Sequence, residues 1–302
     1  MGLILDGDAD PVQVGALLLL LRFRGETPEE MAGFVEAARE RIVMPAGQAP
    51  DLDWPSYADR HRQQPWFVLT ALLLAENGVR VMMHGIEGFA EGYAPTRPVL
   101  TALGVHPSPS LAAAQQAMER GNFAYIGLES FCPALDRLFL LRPLLGVRTV
   151  VNSMSRALNP LAAPCQMQGV FHPPYRTAQQ QVAMLLGQPR AMIFKGGGGE
   201  VLRNPLKPCR VAWVRSGNVG EENWPATLPE ESYAWREEPL TPEVVAALWR
   251  GEIDLPVPEA AVIGTAAMAL HALGRTATID EAETQARRLW SKRRSARSST
   301  AE

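Results

Sequence analysis

Apolar positions recur with helical spacing over much of this chain, and shorter apolar runs punctuate them. Residues 11–22 are apolar nearly all round and read as a buried helix closed by Gly25. Thr27-Pro28-Glu29-Glu30 is a capping box with proline at the first helical position. Met31, Phe34, Val35 and Ala38 then keep one helical face, and Arg39 and Arg41 sit where cations suit the helix dipole. Residues 44–65, rich in Pro, Asp and Gln, carry no period and read as a loop. Beyond them, helical segments at 66–76, 97–103, 110–120, 133–141 and 177–186 alternate with strand-like runs at 79–83, 123–126, 148–151, 191–194 and 210–214. Three more helices follow at 242–250, 260–273 and 280–290. This alternation predicts an α/β fold: a small N-terminal helical domain over 1–50, with room for later helices to join it, plus a larger α/β domain over 51–286 whose parallel strands carry helices on their faces. Residues 287–302 read as a basic, flexible tail. There is no internal repeat.

Composition narrows the class. With 47% hydrophobic and 20% charged residues, the chain is an ordinary globular sequence and not a disordered one. The three cysteines, Cys132, Cys165 and Cys209, are odd in number and far apart, which points away from disulfides and zinc and toward a reducing, cytoplasmic setting. The leucine run 17–21 ends at Arg22, too short to span a bilayer, and the start lacks the order of a signal peptide. Net charge is −3, so any affinity for a polyanion must come from local asymmetry. Residues 287–297 hold Arg287, Arg288, Lys292, Arg293, Arg294 and Arg297 without an acid, while 221–238 hold six glutamates against Arg236.

The residues also carry a family resemblance. Leu-Arg-Phe-Arg-Gly-Glu-Thr-Pro-Glu-Glu at 21–30, Leu-Arg-Pro-Leu-Leu-Gly-Val-Arg-Thr at 141–149, Asn152, Asn159-Pro160 and Gln168-Gly169-Val170 resemble anthranilate phosphoribosyltransferase and its relatives in glycosyl transferase family 3. The resemblance implies a nucleoside-phosphorylase-like body, usually dimeric through its helices. It also places about a helix and a half ahead of Met1, so the expected dimer surface is short or the start lies upstream.

The motifs of that family depart here. Its diphosphate loop, Gly-Thr-Gly-Gly-Asp, works because glycines let backbone N–H groups approach phosphate; the equivalent 56–62 reads Ser-Tyr-Ala-Asp-Arg-His-Arg. Its Lys-His-Gly-Asn reads Met83-His84-Gly85-Ile86. Its Asp-Glu pair for Mg²⁺ falls on Lys195 and the glycines 196–199, leaving Glu200 as the one clear carboxylate. Arg142 matches the family's contact to the aromatic acid. His84, Gly85, Arg142 and Glu200 are thus expected to outline a vestigial cleft. Met83-His84-Gly85-Ile86-Glu87-Gly88, Phe194-Lys195-Gly196-Gly197, Glu200 and Arg203-Asn204-Pro205 instead resemble the YbiB-type, TrpD-like paralogues. That resemblance implies a homodimer binding nucleic acid with little sequence preference through basic surface.

The expected contacts are Lys195, Arg203, Lys207 and Arg210 around the glycine run, and Arg287, Arg288, Lys292, Arg293 and Arg294 in the tail. The glycine run itself is either a phosphate cradle or a strand-end loop. His84 reads either as a general acid or base, with Glu87 the nearest carboxylate in sequence, or as a buried, hydrogen-bonded histidine. His61, His106 and His172 lack metal-ligand spacing. Trp224 and Trp235 stand among glutamates and look unsuited to base stacking. No cofactor is expected, with Mg²⁺ needed only if transfer chemistry persists. Two alternatives stay open: a glycosyltransferase with an altered donor, and a small-molecule sensor.

Overall fold

The structure, a computed structural model, describes residues 1–58, 63–87, 96–229 and 233–298. Seven strands form one sheet: β1 Leu52–Ser56, β2 Val81–Gly85, β3 Phe123–Gly127, β4 Cys165–Val170, β5 Arg190–Lys195, β6 Cys209–Arg215 and β7 Asn218–Trp224. Their order is β3-β2-β1-β4-β5-β6-β7, parallel through β5, with β6 and β7 antiparallel. The parallel strands are buried on both faces, as helix-covered strands must be.

Alternate residues feed two cores, the period-two consequence of the pleat. Trp54, Met83 and Tyr125 pack with the helices Phe67–Glu76 and Pro256–Ala272. Met82, Ala124 and Ile126 pack on the other face with Leu18, Met31 and Val35 of the N-terminal helices, joined by Phe131, Phe139 and Val150. Thr27 caps its helix as the sequence predicts: its hydroxyl accepts from the Glu30 N–H at 3.2 Å, and the Glu30 carboxylate accepts from the Thr27 N–H at 3.0 Å.

Several elements differ from the sequence reading, whose strand-like runs leave β4 unassigned. β1 lies inside the expected loop 44–65; its Asp53 is fully buried because Gln166 donates to it at 2.6 Å. The expected strand 148–151 is instead the start of the helix Val150–Met154, where Thr149 and Asn152 form a capping box that overrides the β-branched pair Val150-Val151. β7 closes a hairpin on β6 through Ser216 and Gly217, both at positive φ (48° and 80°), the two-residue turn that suits twisted strands. The described part of the expected flexible tail, 287–298, is helical: the last helix runs Ile279–Ser298, because Ala282, Ala286 and Trp290 put an apolar stripe against the core. The Arg294 side chain and residues 59–62, with His61, lie outside the described residues.

Among the described residues no helix is long and apolar enough to cross a membrane.

Candidate functional site

The sheet reverses its winding between β1 and β4, so a crevice is expected outside their carboxyl ends. The ladder itself opens it. β1 pairs with β4 only at Leu52 and Asp53, whereas β4 pairs with β5 over six residues. Pro55, with no N–H to donate, lies beyond the last pair.

A cleft of about 1120 Å³ occupies this end of the molecule. Nine lysines and arginines line it, and no aspartate or glutamate does so among the described residues. They converge from separate elements. Arg22 comes from the helix Pro11–Arg24 and donates to the Tyr175 hydroxyl at 2.8 Å. Arg142, Arg148 and Arg156 come from the segment between β3 and β4, and Arg176 from the helix Pro174–Leu185. Lys195, Lys207, Arg210 and Arg236 complete the lining. Arg176 and Arg210 share Glu221, at 3.2 and 2.5 Å.

The cations are crowded. Burial, and then the Arg148 guanidinium beside it, hold Arg142 below the ordinary arginine value. Burial does the same to Arg156, with Glu200 opposing the shift and Arg148 adding to it. Arg156 is fixed by donating to the Gly169 carbonyl at 3.0 Å and to the Asn152 carbonyl. Like charges held this close raise each other's cost, and an anion between them relieves it.

The glycine run beside Lys195 has a structural explanation. A Cβ on Gly196 would lie 1.6 Å from the Glu200 carbonyl oxygen, and one on Gly169 2.1 Å from it, so these glycines let the loop fold directly onto β4. The N–H groups of Gly196, Gly197, Gly199 and Glu200 all donate to backbone carbonyls. These four N–H groups are therefore already satisfied and are not free to cradle a phosphate.

Glu200 turns inward. It accepts from the Ala58 N–H at 2.6 Å, with the Ser56 hydroxyl as a second donor, and burial pushes its carboxyl up to about 7 against the opposing pull of Arg156. The unfolded chain keeps the ordinary value near 4.5. Its neutral form is therefore favoured by folding; that stabilisation is complete below about pH 4.5 and is lost as pH rises through about 7. Glu200→Gln should remove this slope. The stability gap between variant and parent should widen in the variant's favour from pH 5 to pH 8, by on the order of 3 kcal/mol in urea melts.

His84 is buried in a polar chain. Its Nδ1 lies 2.8 Å from the Tyr57 hydroxyl, and its Nε2 3.1 Å from Asp53 Oδ1. Asp53 Oδ2 accepts from Gln166, whose Oε1 accepts from Gln168, both at 2.6 Å. The carboxylate facing His84 is thus Asp53 and not Glu87, which lies 3.4 Å from Arg97. Gly85 is required by packing: a Cβ there would meet the Ser56 carbonyl at 2.1 Å. The Tyr57 ring is 1% exposed and stacked on Phe139 at 6.0 Å, at the carboxyl end of β1. His84, Gly85 and Glu200 thus belong to the packed floor, and of the four expected cleft residues only Arg142 lines the cavity.

The nucleic-acid contacts expected from sequence divide in the same way. Lys195, Lys207 and Arg210 line the cleft. Arg203 does not: it is fully buried, paired with Glu283 at 2.9 Å and stacked over Trp224 at 5.1 Å. Arg293 is buried between Trp249 and Trp290, 4.4 and 3.9 Å from their ring centres. Arg287, Arg288 and Lys292 are exposed on the last helix and do not line the cleft. Spacing along the chain missed Arg22, Arg148, Arg156, Arg176 and Arg236, which only the fold brings together. Trp235 lines this basic cleft despite its acidic sequence neighbours, whereas Trp224 is fully buried.

The residues present do not fit the Mg²⁺ that resemblance to anthranilate phosphoribosyltransferase implies. No carboxylate lines the cleft among the described residues, and Glu200, the one the resemblance leaves there, points at a backbone amide.

Residues 1–42 match the family described as "Glycosyl transferase family, helical bundle domain", and 68–292 that described as "Glycosyl transferase family, a/b domain". An anthranilate phosphoribosyltransferase from Desulfitobacterium hafniense is 31% identical over 199 residues, 65% of this chain but only 58% of that protein. The Escherichia coli protein named "Uncharacterized protein YbiB" is 27% identical over 298 residues, 92% of this chain and 88% of its own. The crystal structure of anthranilate phosphoribosyltransferase from Thermus thermophilus is similar with a TM-score of 0.79 at 28% identity, covering 95% of this chain and 88% of that one.

Proposed function

We propose that this chain, which belongs to the glycosyl transferase family that includes anthranilate phosphoribosyltransferase, has turned the family's cleft to holding the phosphate backbone of nucleic acid, with little sequence preference and without phosphoribosyl transfer. The observation that carries this reading is the lining of the cleft: nine lysines and arginines drawn from separate elements, with no carboxylate among the described lining residues. Arginine forks match phosphate oxygens, and contacts to backbone phosphates carry no sequence information. A net charge of −3 puts the acids elsewhere, so attraction is focused on the cleft. Against transfer chemistry stand the buried Tyr57 ring and the inward-turned Glu200.

A homodimer through the helical layer goes with this reading. Val12, Leu20 and Phe23 of the helix Pro11–Arg24 are 79%, 66% and 93% exposed, far more apolar surface than one helix face leaves to water without a partner. Phe23→Glu should shift the mass in sedimentation equilibrium to one chain while the circular dichroism spectrum stays unchanged. The free, buried cysteines go with a cytoplasmic setting.

The test is fluorescence anisotropy with labelled DNA and RNA oligomers across a salt series, paired with a thermal shift in phosphoribosyl pyrophosphate and Mg²⁺. Binding whose logarithm falls linearly with log salt, at a slope near −4 for about six phosphates on a single strand, is expected. No binding at low salt by folded protein overturns the reading. Stabilisation by the pyrophosphate ligand, about 2.7 kcal/mol at a hundred times its dissociation constant, would favour the altered transferase instead.

A further inference from the structure

The cleft is not lined by cations alone. Phe171 follows the carboxyl end of β4 and is 45% exposed, with His172 meeting its ring edge-on at 4.7 Å. Its backbone rests on the glycine loop: a Cβ on Gly199 would lie 3.3 Å from the Phe171 Cβ. Trp235 lines the same cleft, half-buried against the core and held edge-on by Tyr233 at 4.7 Å. A site that gripped only phosphate would gain nothing from a large apolar ring left in water among guanidinium groups.

Unpaired bases offer what these rings can use. A base has a π-face that stacks on an aromatic side chain whatever its identity, whereas a duplex keeps its bases stacked on each other and presents only their edges. Cations along the walls would track the backbone, and an aromatic ring at the strand end of the sheet would receive a base. That pairing of positive groove and stacking platform belongs to single-strand binding.

We infer that the occupant of the cleft is a single-stranded nucleic acid with a base stacked on Phe171, an inference that rests on the polyanion reading above. Trp235 lines the same cleft and offers a second aromatic face to the strand.

The full chain would be titrated by anisotropy with labelled dT12, a twelve-mer of equal charge whose central positions are abasic, and a twelve-base-pair duplex, all at one salt concentration. The dT12 strand should bind about tenfold tighter than the abasic strand and tighter than the duplex. Phe171→Ala should weaken dT12 about tenfold, to the abasic level, and leave the abasic strand and the salt slope unchanged. Phe171→Trp should keep dT12 binding. Phe171 is exposed, so a melting temperature within a few degrees of the parent is expected for both variants. Equal affinity for dT12 and the abasic strand, tighter binding of the duplex, or an equal loss for every probe in Phe171→Ala overturns the stacking inference and leaves the polyanion reading standing. Failure of all three probes to bind at low salt removes both.

Discussion

Replacing Trp290 with alanine is expected to cost about 3–5 kcal/mol of folding stability, a shift on the order of 10 °C in melting temperature. Trp290 is 1% exposed and meets Trp249 edge-to-face at 6.2 Å. Arg293 closes the stack over both rings and donates to the Trp249 carbonyl. One turn and two turns earlier, Ala286 and Ala282 are fully buried on the same stripe, where the last helix meets Pro256–Ala272. A chain ending before Arg287 would lose Leu289, Trp290 and Arg293 together and leave core helices facing water. It should unfold rather than merely lose charge, and urea melts followed by circular dichroism distinguish these outcomes. A loss below about 1 kcal/mol for Trp290→Ala, or a cooperatively folded truncated chain, would show that the last helix is not part of the core. Deletion of the basic segment is thus unable to locate a nucleic-acid site, because it removes the fold with the charge.

That segment shows where sequence reading fell short. A run of basic residues looks like one patch when counted along the chain, but helical period sends Arg293 inward to two tryptophans and leaves Arg287, Arg288 and Lys292 outside. Arg203 misled in the same way: a cation beside a glycine loop reads as surface until Glu283 and Trp224 are brought to it from other elements. The fold class was legible because period, caps and family-like segments agreed over most of the chain, as at Thr27 and Glu30. β1 was not, because Asp53 and Pro55 break the apolar pattern of a buried strand. Their reasons are tertiary: Asp53 is satisfied by Gln166 and faces His84, and Pro55 lies where the ladder to β4 has ended. His84 was correctly read as buried and hydrogen-bonded, yet its carboxylate neighbour lay in the stretch taken for a loop. The expected set Lys195, Lys207 and Arg210 does reach the cleft, being local to one turn of chain. Arg22, Arg148 and Arg236 come from three distant places, and no spacing rule predicts their meeting.

If the cleft is the binding surface, reversing charge there must outweigh any reversal elsewhere. Lys195→Glu with Lys207→Glu should weaken oligonucleotide binding on the order of 100-fold at low salt, since two cations are lost and two anions placed beside the strand. The milder pair Lys195→Gln and Lys207→Gln should flatten the log–log salt slope by about 1.4, two single-strand phosphate contacts, without changing sequence preference. Both side chains are exposed, so the melting temperature should move little. The matched control is Arg287→Glu with Arg288→Glu, an equal change in net charge on the outer face of the last helix. It should change affinity by less than about threefold, because neither side chain lines the cleft and salt screens solvent-exposed charges that make no direct contact. Long-range steering alone would make the two pairs equivalent, as net charge is all they share. A large loss for the cleft pair with a small one for the helix pair requires direct phosphate contact at the switch point. The opposite ranking would move the site to the last helix and leave the crowded arginines of the cleft to a small anion.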